Sequence, residues 1–554
     1  MSSEEKGNAL EKLPAAAAEY IRLVIKRMRY RKKVRSEVMD ELAAHFEDQL
    51  KDCKTEQEKE QKVKQLIEQF GDPKMLGVLL RRAKKRCRPL WRTAVVRAFQ
   101  TAGVLILCLV AYIVWFASGK PVITTDYVAE FNRLVRPAAD ETQNAFPLYE
   151  KAIQLLKANS DYNDVKEILN RTYDKATAEE KEKIDKWLTT NKEVFDLVIT
   201  GSQKPYYWRV YQNKYPNAGM MGVLMPELAE FRYLARLLTW QARFCAEQGR
   251  FEDSFNDVIT CYRLGRHIKQ GNKILIEQLV GIAIEALSVQ AVRDILSAHQ
   301  IDSSTLTILQ KNLEETIAKE DFIINFTAEK LLIYDEIQRC FTGGSFGSHL
   351  CTPGILSLSS RPDSAHFWPK VFIAPFVYPK MYFHILFTHP GKYKTRQMAD
   401  HVYSYYDDVA HKTPAQARSE GIDVEKESMK IVKGNLLLEL LRPAIGKVIQ
   451  LGHRVKIDIQ ATVAIIALQR YRQDKAQYPE SLNDLIVFSY LKELPIDPWS
   501  DKPLIYRKTD AGFTLYSVGL NFKDDGGVAA KDKEGKIQMW SEKEGDAVFW
   551  PVVK

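Results

Sequence analysis

Any chemistry this chain performs must come from a few suitably spaced side chains. Gly343-Gly344-Ser345-Phe346-Gly347 has the G-x-S-x-G spacing of a nucleophile elbow. That elbow works when a strand delivers the serine and a helix leaves it, because the sharp turn lifts the hydroxyl towards a histidine. Here a helix-like stretch, EKLLIYDEIQRC, precedes the motif and the loop SHLCTPG follows, so Ser345 is not expected to be catalytic. Five histidines, His366, His384, His389, His401 and His411, lie near one another in sequence. None pairs at i, i+4 with a second ligand in an obvious helix, and ordinary packing or surface use is the expectation. Glu41 and His45 do share a helix face, but one histidine is missing from a His-Glu-x-x-His zinc pattern, and a surface ion pair is expected instead. Tyr206, Tyr207, Trp208 and Tyr211 could stack a sugar or a peptide, yet an aromatic run at a helix junction points first to core.

The seven cysteines contain no C-x-x-C pair. Cys340 and Cys351 bracket a Gly/Ser loop and are the better disulfide candidate, while Cys245 and Cys261 read as buried thiols. No P-loop, G-x-G-x-x-G or DNA-binding pattern appears. The residues therefore point away from an enzyme and away from a nucleotide cofactor.

The elements that position these residues begin with a membrane segment. Ala98 to Ser118, AFQTAGVLILCLVAYIVWFAS, carries no charge, and a helix of that length reaches roughly 30 Å, the thickness of a bilayer's hydrocarbon. It lies too far from Met1 to be a cleaved signal peptide. Upstream stand Arg81, Arg82, Lys84, Lys85, Arg86, Arg88, Arg92 and Arg97 with no acidic residue among them. The positive-inside rule then puts the N-terminus in the cytoplasm and the rest outside, as in a single-pass protein of the bacterial inner membrane with a periplasmic body. Of the 80 basic and 71 acidic residues, 24 and 15 precede Ala98, so the net charge of +9 sits at one end and the remainder is formally neutral. That distribution fits attraction to anionic lipid and removes the argument for a nucleic-acid partner.

The spacing of apolar residues predicts a mainly α protein with a C-terminal α+β part: a basic helical domain over 1–97, the span over 98–118, an all-helical region over 119–340, an irregular aromatic and Pro-rich region over 341–434, and a helix with a small antiparallel sheet over 435–554. Leu228 to Gln248 reads as one helix, Gly249-Arg250 as a turn and Phe251 to His267 as its return, with Ala235, Ala242 and Ala246 on the packing faces. This hairpin resembles a tetratricopeptide unit, although no regular period runs through the region, so a divergent helical array and an irregular bundle are both open. His366 to Pro390 is apolar but broken by Lys370, Lys380 and three prolines; it is read as packing in a groove or lying on the outer leaflet, without crossing. Towards the end, one helix is expected to run from Asn435 through Pro443, followed by a hairpin of Leu504–Arg507 and Phe513–Val518 about Thr509–Gly512.

Two resemblances follow from quoted stretches. EVMDELAAHFEDQL, QLIEQFGDP, a basic run and an apolar helix together resemble the small helical prefix domain found cytoplasmic of the membrane part in various bacterial membrane proteins. RYRQDKAQYPESLNDL, then DPW, a tyrosine strand, LYSVG and an acidic loop, resemble the C-terminal part of the type II secretion major pseudopilin, through Tyr471, Tyr478, Pro479, Leu482, Leu485, Asp497, Pro498, Trp499, Tyr506, Tyr516, Ser517, Gly519 and Asp525. The resemblance implies a calcium site at Asn521, Asp524, Asp525 and Asp546 as the one candidate cofactor; the lysine-rich insertion VAAKDKEGKIQMWSEKEG argues for a solvated turn instead. A pseudopilin's uninterrupted N-terminal apolar helix is replaced here by one carrying Glu439, Arg442, Lys447 and Arg454, which implies a borrowed fold and not a filament subunit. The expected function is a membrane-anchored, non-catalytic scaffold that binds proteins; the alternatives are a secretion or pilus accessory component and, last, an envelope hydrolase.

Overall fold

The computed structural model describes residues 10–86, 90–171, 173–213, 219–223, 225–318, 320–343, 347–351, 380, 383–442, 444–510, 512–532 and 534–552. The chain forms two compact units, Met1–Val114 and Trp115–Lys554. It is mainly helical, with a small antiparallel sheet at the C-terminus.

The first unit contains α1 Ala15–Met28, α2 Lys32–Leu50, α3 Glu56–Phe70, α4 Pro73–Arg86 and most of α5 Leu90–Ser118. Local chemistry sets these boundaries. Thr55 caps α3 in a reciprocal pair with Glu58: each side chain accepts the other's backbone N–H. Gly71, at φ 73°, ends α3, and Pro73 opens α4 where its missing N–H costs nothing. The core joins Ile21, Val24 and Met28 of α1 to Val38, Leu42 and Phe46 of α2 and to Val63 and Leu66 of α3. Gly77 lets α4 cross α1 closely, since a Cβ there would lie 2.9 Å from the Val24 carbonyl oxygen. The expected Glu41–His45 ion pair is absent: Glu41 accepts from Lys84 Nζ at 2.8 Å, and the His45 ring packs edge-on to Phe70.

The second unit continues with α6 Tyr127–Val135, α7 Phe146–Ala158, α8 Tyr162–Leu169, α9 Ala178–Thr190, α10 Lys192–Ser202, α11 Glu227–Glu247, α12 Phe251–Lys269, α13 Leu275–Ala298, α14 Ser303–Ile317 and α15 Thr327–Cys340. The helices α11 and α12 form a hairpin about Gly249, whose φ of 73° suits glycine. Where irregular chain was expected, α16 Lys392–Ala410, α17 Pro414–Ser419 and α18 Val424–Val432 appear. The stripe of α16 is Ala399, Val402, Tyr403, Tyr406, Val409 and Ala410; its tyrosines are amphipathic, which disguises a helical period as aromatic irregularity. The helix expected through Pro443 is two helices, α19 Leu436–Leu441 and α20 Ile445–Lys475, with Arg442 extended because a residue before proline is pushed out of the helical region.

A short helix α21 Asn483–Val487 precedes β1 Ile496–Asp497, paired antiparallel with β2 Lys502–Pro503. The strands β3 Ile505–Thr509 and β4 Gly512–Ser517 form the expected hairpin, and β5 Ala547–Trp550 adds to β4 antiparallel as a third strand that the sequence reading lacked. The C-terminal part has no core of its own. Ile457, Ala461, Ile465 and Leu468 of α20 and Leu515 and Phe549 of the sheet share one cluster with Val258, Val292, Ile295, Leu306 and Leu309. Helix α20 is thus the common wall of the helical region and the sheet.

Candidate functional site

Among the described residues, two helices are long and apolar enough to cross a membrane. They differ in what surrounds them: in Thr93–Ser118 of α5 the most apolar stretch is 6% buried, whereas in α13 it is 67% buried. The side chains of Phe99, Leu105, Leu107 and Val114 stand in the open, which in water would be costly at about 25 cal/mol for each Å² of apolar surface. Helix α13 instead packs Ile284, Val289, Val292 and Ile295 into the core of its own unit. The last turn of α5 is fastened within the second unit. The His349 ring packs on Trp115 and Phe116 at 4.5 and 4.3 Å, and His349 Nε2 is 3.1 Å from the Phe116 carbonyl oxygen.

Of the basic flank, Arg81, Arg82, Lys85 and Arg97 are exposed, and Lys84 is held by Glu41. The side chains of Arg86 and Arg92, and all of Arg88, lie outside the described residues. So do Ser345 and His366, the loci of two candidate chemistries. Among the remaining histidines, His384 Nε2 is 2.9 Å from the Gly434 carbonyl oxygen, and His389 Nε2 accepts the Leu436 N–H at 3.1 Å. Burial pushes His389 down to about 4, so it is a neutral acceptor at pH 7. His411 Nδ1 is 2.7 Å from the Asp407 carbonyl oxygen. Tyr207, Trp208 and Tyr211 are buried, and the Tyr206 hydroxyl donates to the Asp140 carbonyl.

The candidate calcium residues meet in one loop, but N–H donors face them. Asp546 is buried and its two oxygens accept from Asp525 N at 3.1 Å and Gly527 N at 2.7 Å. Asp525 accepts from Asn521 Nδ2 and Gly545 N, both at 2.7 Å. Asp524 turns away to Arg507, the Tyr516 hydroxyl and Gly526 N. Calcium takes six to eight oxygen ligands, roughly. N–H donors aimed at the carboxylates hold them in a hydrogen-bonded turn, and among the described residues no group of three or more His, Cys, Asp or Glu is placed to hold a metal ion.

No S–S bond joins Cys340 and Cys351, the disulfide candidate. They do sit opposite each other beside the Phe341–Leu350 bridge, with Cys351 N donating to the Cys340 carbonyl at 2.8 Å. The Cys351 thiol reaches the Arg339 carbonyl oxygen at 3.5 Å, and burial raises the Cys340 thiol far above its ordinary value, so the thiolate needed for oxidation is suppressed.

Sequence reasoning missed the charges buried among α11, α12, α13 and α20. Helices α12 and α13 cross so closely at Gly265 and Gly281 that a Cβ on Gly281 would lie 2.5 Å from the Gly265 carbonyl oxygen. Around that crossing, Lys269 is held by Glu285 at 2.8 Å and by Glu320, and Tyr262 also donates to Glu320. Further along, Arg293 donates to Asp458, Thr462 and Gln290. Ionic partners at this depth lock packing and leave these groups committed. Their only sequence signal was a charged residue on a face whose helical neighbours are apolar.

No family model, curated protein or solved structure matches this chain.

Proposed function

We propose that the chain is a single-pass membrane-anchored scaffold of the bacterial inner membrane, with a small basic cytoplasmic domain and a large periplasmic body that binds proteins without catalysis. The observation that carries the reading is the exposed apolar surface of α5, set against the buried α13 of similar composition. Lipid is the solvent in which that exposure is favourable. The exposed Arg81, Arg82, Lys85 and Arg97 support the orientation through anionic headgroups and the positive-inside bias. The body supports a binding role through its stacked helices and its committed histidines, thiols and buried charges. An accessory role in secretion draws on the long helix α20 packed against a three-stranded sheet, but α20 is enclosed by α13 and α14, so it is not the free assembling helix of a filament subunit.

Alkaline carbonate extraction followed by protease treatment of spheroplasts tests the anchor and its orientation. The protein is expected to stay with the membranes, and external protease to trim the body while sparing Met1 to Arg97. Release by carbonate would overturn the anchor, and external cleavage before Ala98 would overturn the orientation.

A further inference from the structure

A cavity of about 310 Å³ opens where the end of α10, the face of α12 and the end of α14 meet. Arg263 and Arg266, three residues apart on α12, line it together with Lys204, Gln203, Gln270 and Glu315. Among the described residues neither guanidinium has a hydrogen-bond, ion-pair or ring partner, and Arg266 Nε is out of reach of water with no acceptor. This contrasts with Arg243, Arg293 and Arg442 in the same unit, each of which holds a carboxylate.

The wall behind the pair is rigid. His267 spans from the Tyr149 hydroxyl to the Lys204 carbonyl oxygen, both at 2.9 Å, and fixes the loop that carries Lys204. Burial, with Arg266 and Arg263 adding repulsion, keeps His267 neutral, down to about 3. The Lys204 ammonium donates to the Thr142 carbonyl, a neutral acceptor, and keeps its charge uncompensated. Glu315 is the one carboxylate of the lining; it is exposed and 3.9 Å from Lys311.

Two neighbouring guanidinium groups, partly withdrawn from water and with only the exposed Glu315 as a nearby carboxylate, are unfavourable alone and favourable around an oxyanion. We infer that this cavity binds the phosphate or carboxylate group of a small polar ligand, with Arg263 and Arg266 as the fork and Lys204 as the third cation. The volume corresponds to roughly ten waters at about 30 Å³ each, so it takes an oxyanion with a small substituent. The amides of Gln203 and Gln270 are the groups placed to read that substituent.

Thermal unfolding of the full chain in a non-ionic detergent, titrated with inorganic phosphate, tests this. Tm is expected to rise with phosphate concentration, and calorimetric affinity to fall roughly tenfold in Arg266→Lys, which keeps the charge and loses the fork. In the pair Arg263→Gln, Arg266→Gln the phosphate response disappears while the ligand-free Tm is unchanged or higher, because like-charge repulsion is relieved. Glu315→Gln tightens binding. A soluble dicarboxylate and short-chain phosphatidic acid, run beside phosphate, separate a free metabolite-like anion from a lipid headgroup. The proposal fails if none of the three anions shifts Tm, if the Gln pair responds as the natural chain does, or if that pair lowers the ligand-free Tm as loss of a packing role would.

Discussion

Asp257, on the inner face of α12, is buried with one carboxylate oxygen lacking a hydrogen-bond partner and the other 3.4 Å from Gln241 Nε2. Burial, with Asp253 adding repulsion, pushes its carboxyl up to about 8. The sign of the linkage follows. Between the unfolded value near 3.8 and about 8 the folded chain holds a proton that the unfolded chain has released, so stability is greatest at acid pH and falls as pH rises through that window. The slope has an upper limit of about 1.4 kcal/mol per pH unit. Asp257→Asn is therefore expected to flatten this part of the pH profile and to stabilise the body by about 1–2 kcal/mol at pH 8, as read from urea unfolding at pH 5 and pH 8. A second residue tests the helix crossing. Gly281→Ala places a methyl against the Gly265 carbonyl and the Lys269 backbone nitrogen, neither of which can swing aside, and a loss of about 1–3 kcal/mol in urea is expected. Neither residue announces itself in the sequence. Asp257 looks like one of many surface acids on an amphipathic helix, and Gly265 and Gly281 look like helix weak points until the two backbones are seen to touch.

At the scale of elements, α5 and α13 pass the same test of length and apolarity, so a charge placed in each separates lipid from protein as the surroundings. Leu107→Arg in α5 is expected to weaken membrane integration by about 2.5–3.5 kcal/mol and to increase release by carbonate, while the melting of the body stays the same. Ile284→Arg in α13, where the side chain is 1% exposed, is expected to cost more than about 4 kcal/mol and to abolish the body's cooperative unfolding without releasing the chain from membranes. The sequence signalled α5 through uninterrupted apolarity and α13 through Glu277, Glu285 and Arg293, charges that a span excludes and a core can pair. It hid α16 because tyrosine does the work of leucine there. It hid β5 because Ala547–Trp550 is four residues long and becomes a strand only when β4 offers an edge. The acidic loop was legible as a turn, since its glycines and aspartates suit one, but the N–H groups of Asp525 and Gly527 meet the Asp546 carboxylate only after β5 brings it alongside.

For the whole molecule, the division of the core decides what can unfold separately. The first unit has its own cluster around Ile21, Phe46 and Leu66, with Tyr20, Phe46 and Phe70 in ring contact. In the second unit, by contrast, one cluster runs through α20 from the helices to the sheet and is pinned by Arg293 on Asp458, 165 positions further along the chain. Composition along the chain suggested a separate C-terminal domain after Gly434, because strands replace helices there; a change of element type is visible in sequence, whereas a shared core is not. Two melting events are therefore expected in calorimetry of the full chain: one small and belonging to residues before Val114, the other large and common to the helical region and the sheet. Asp458→Ala discriminates between a common and a divided core. It leaves the Arg293 charge buried without its carboxylate, and a cost of about 3–5 kcal/mol is expected. In a common core, tryptophan fluorescence from Trp499 in the C-terminal part and from Trp240 in α11, each isolated by replacing the other tryptophans with phenylalanine, shifts to lower urea by the same amount. A shift confined to Trp499 would mean that the sheet and α20 unfold on their own and that the core is divided.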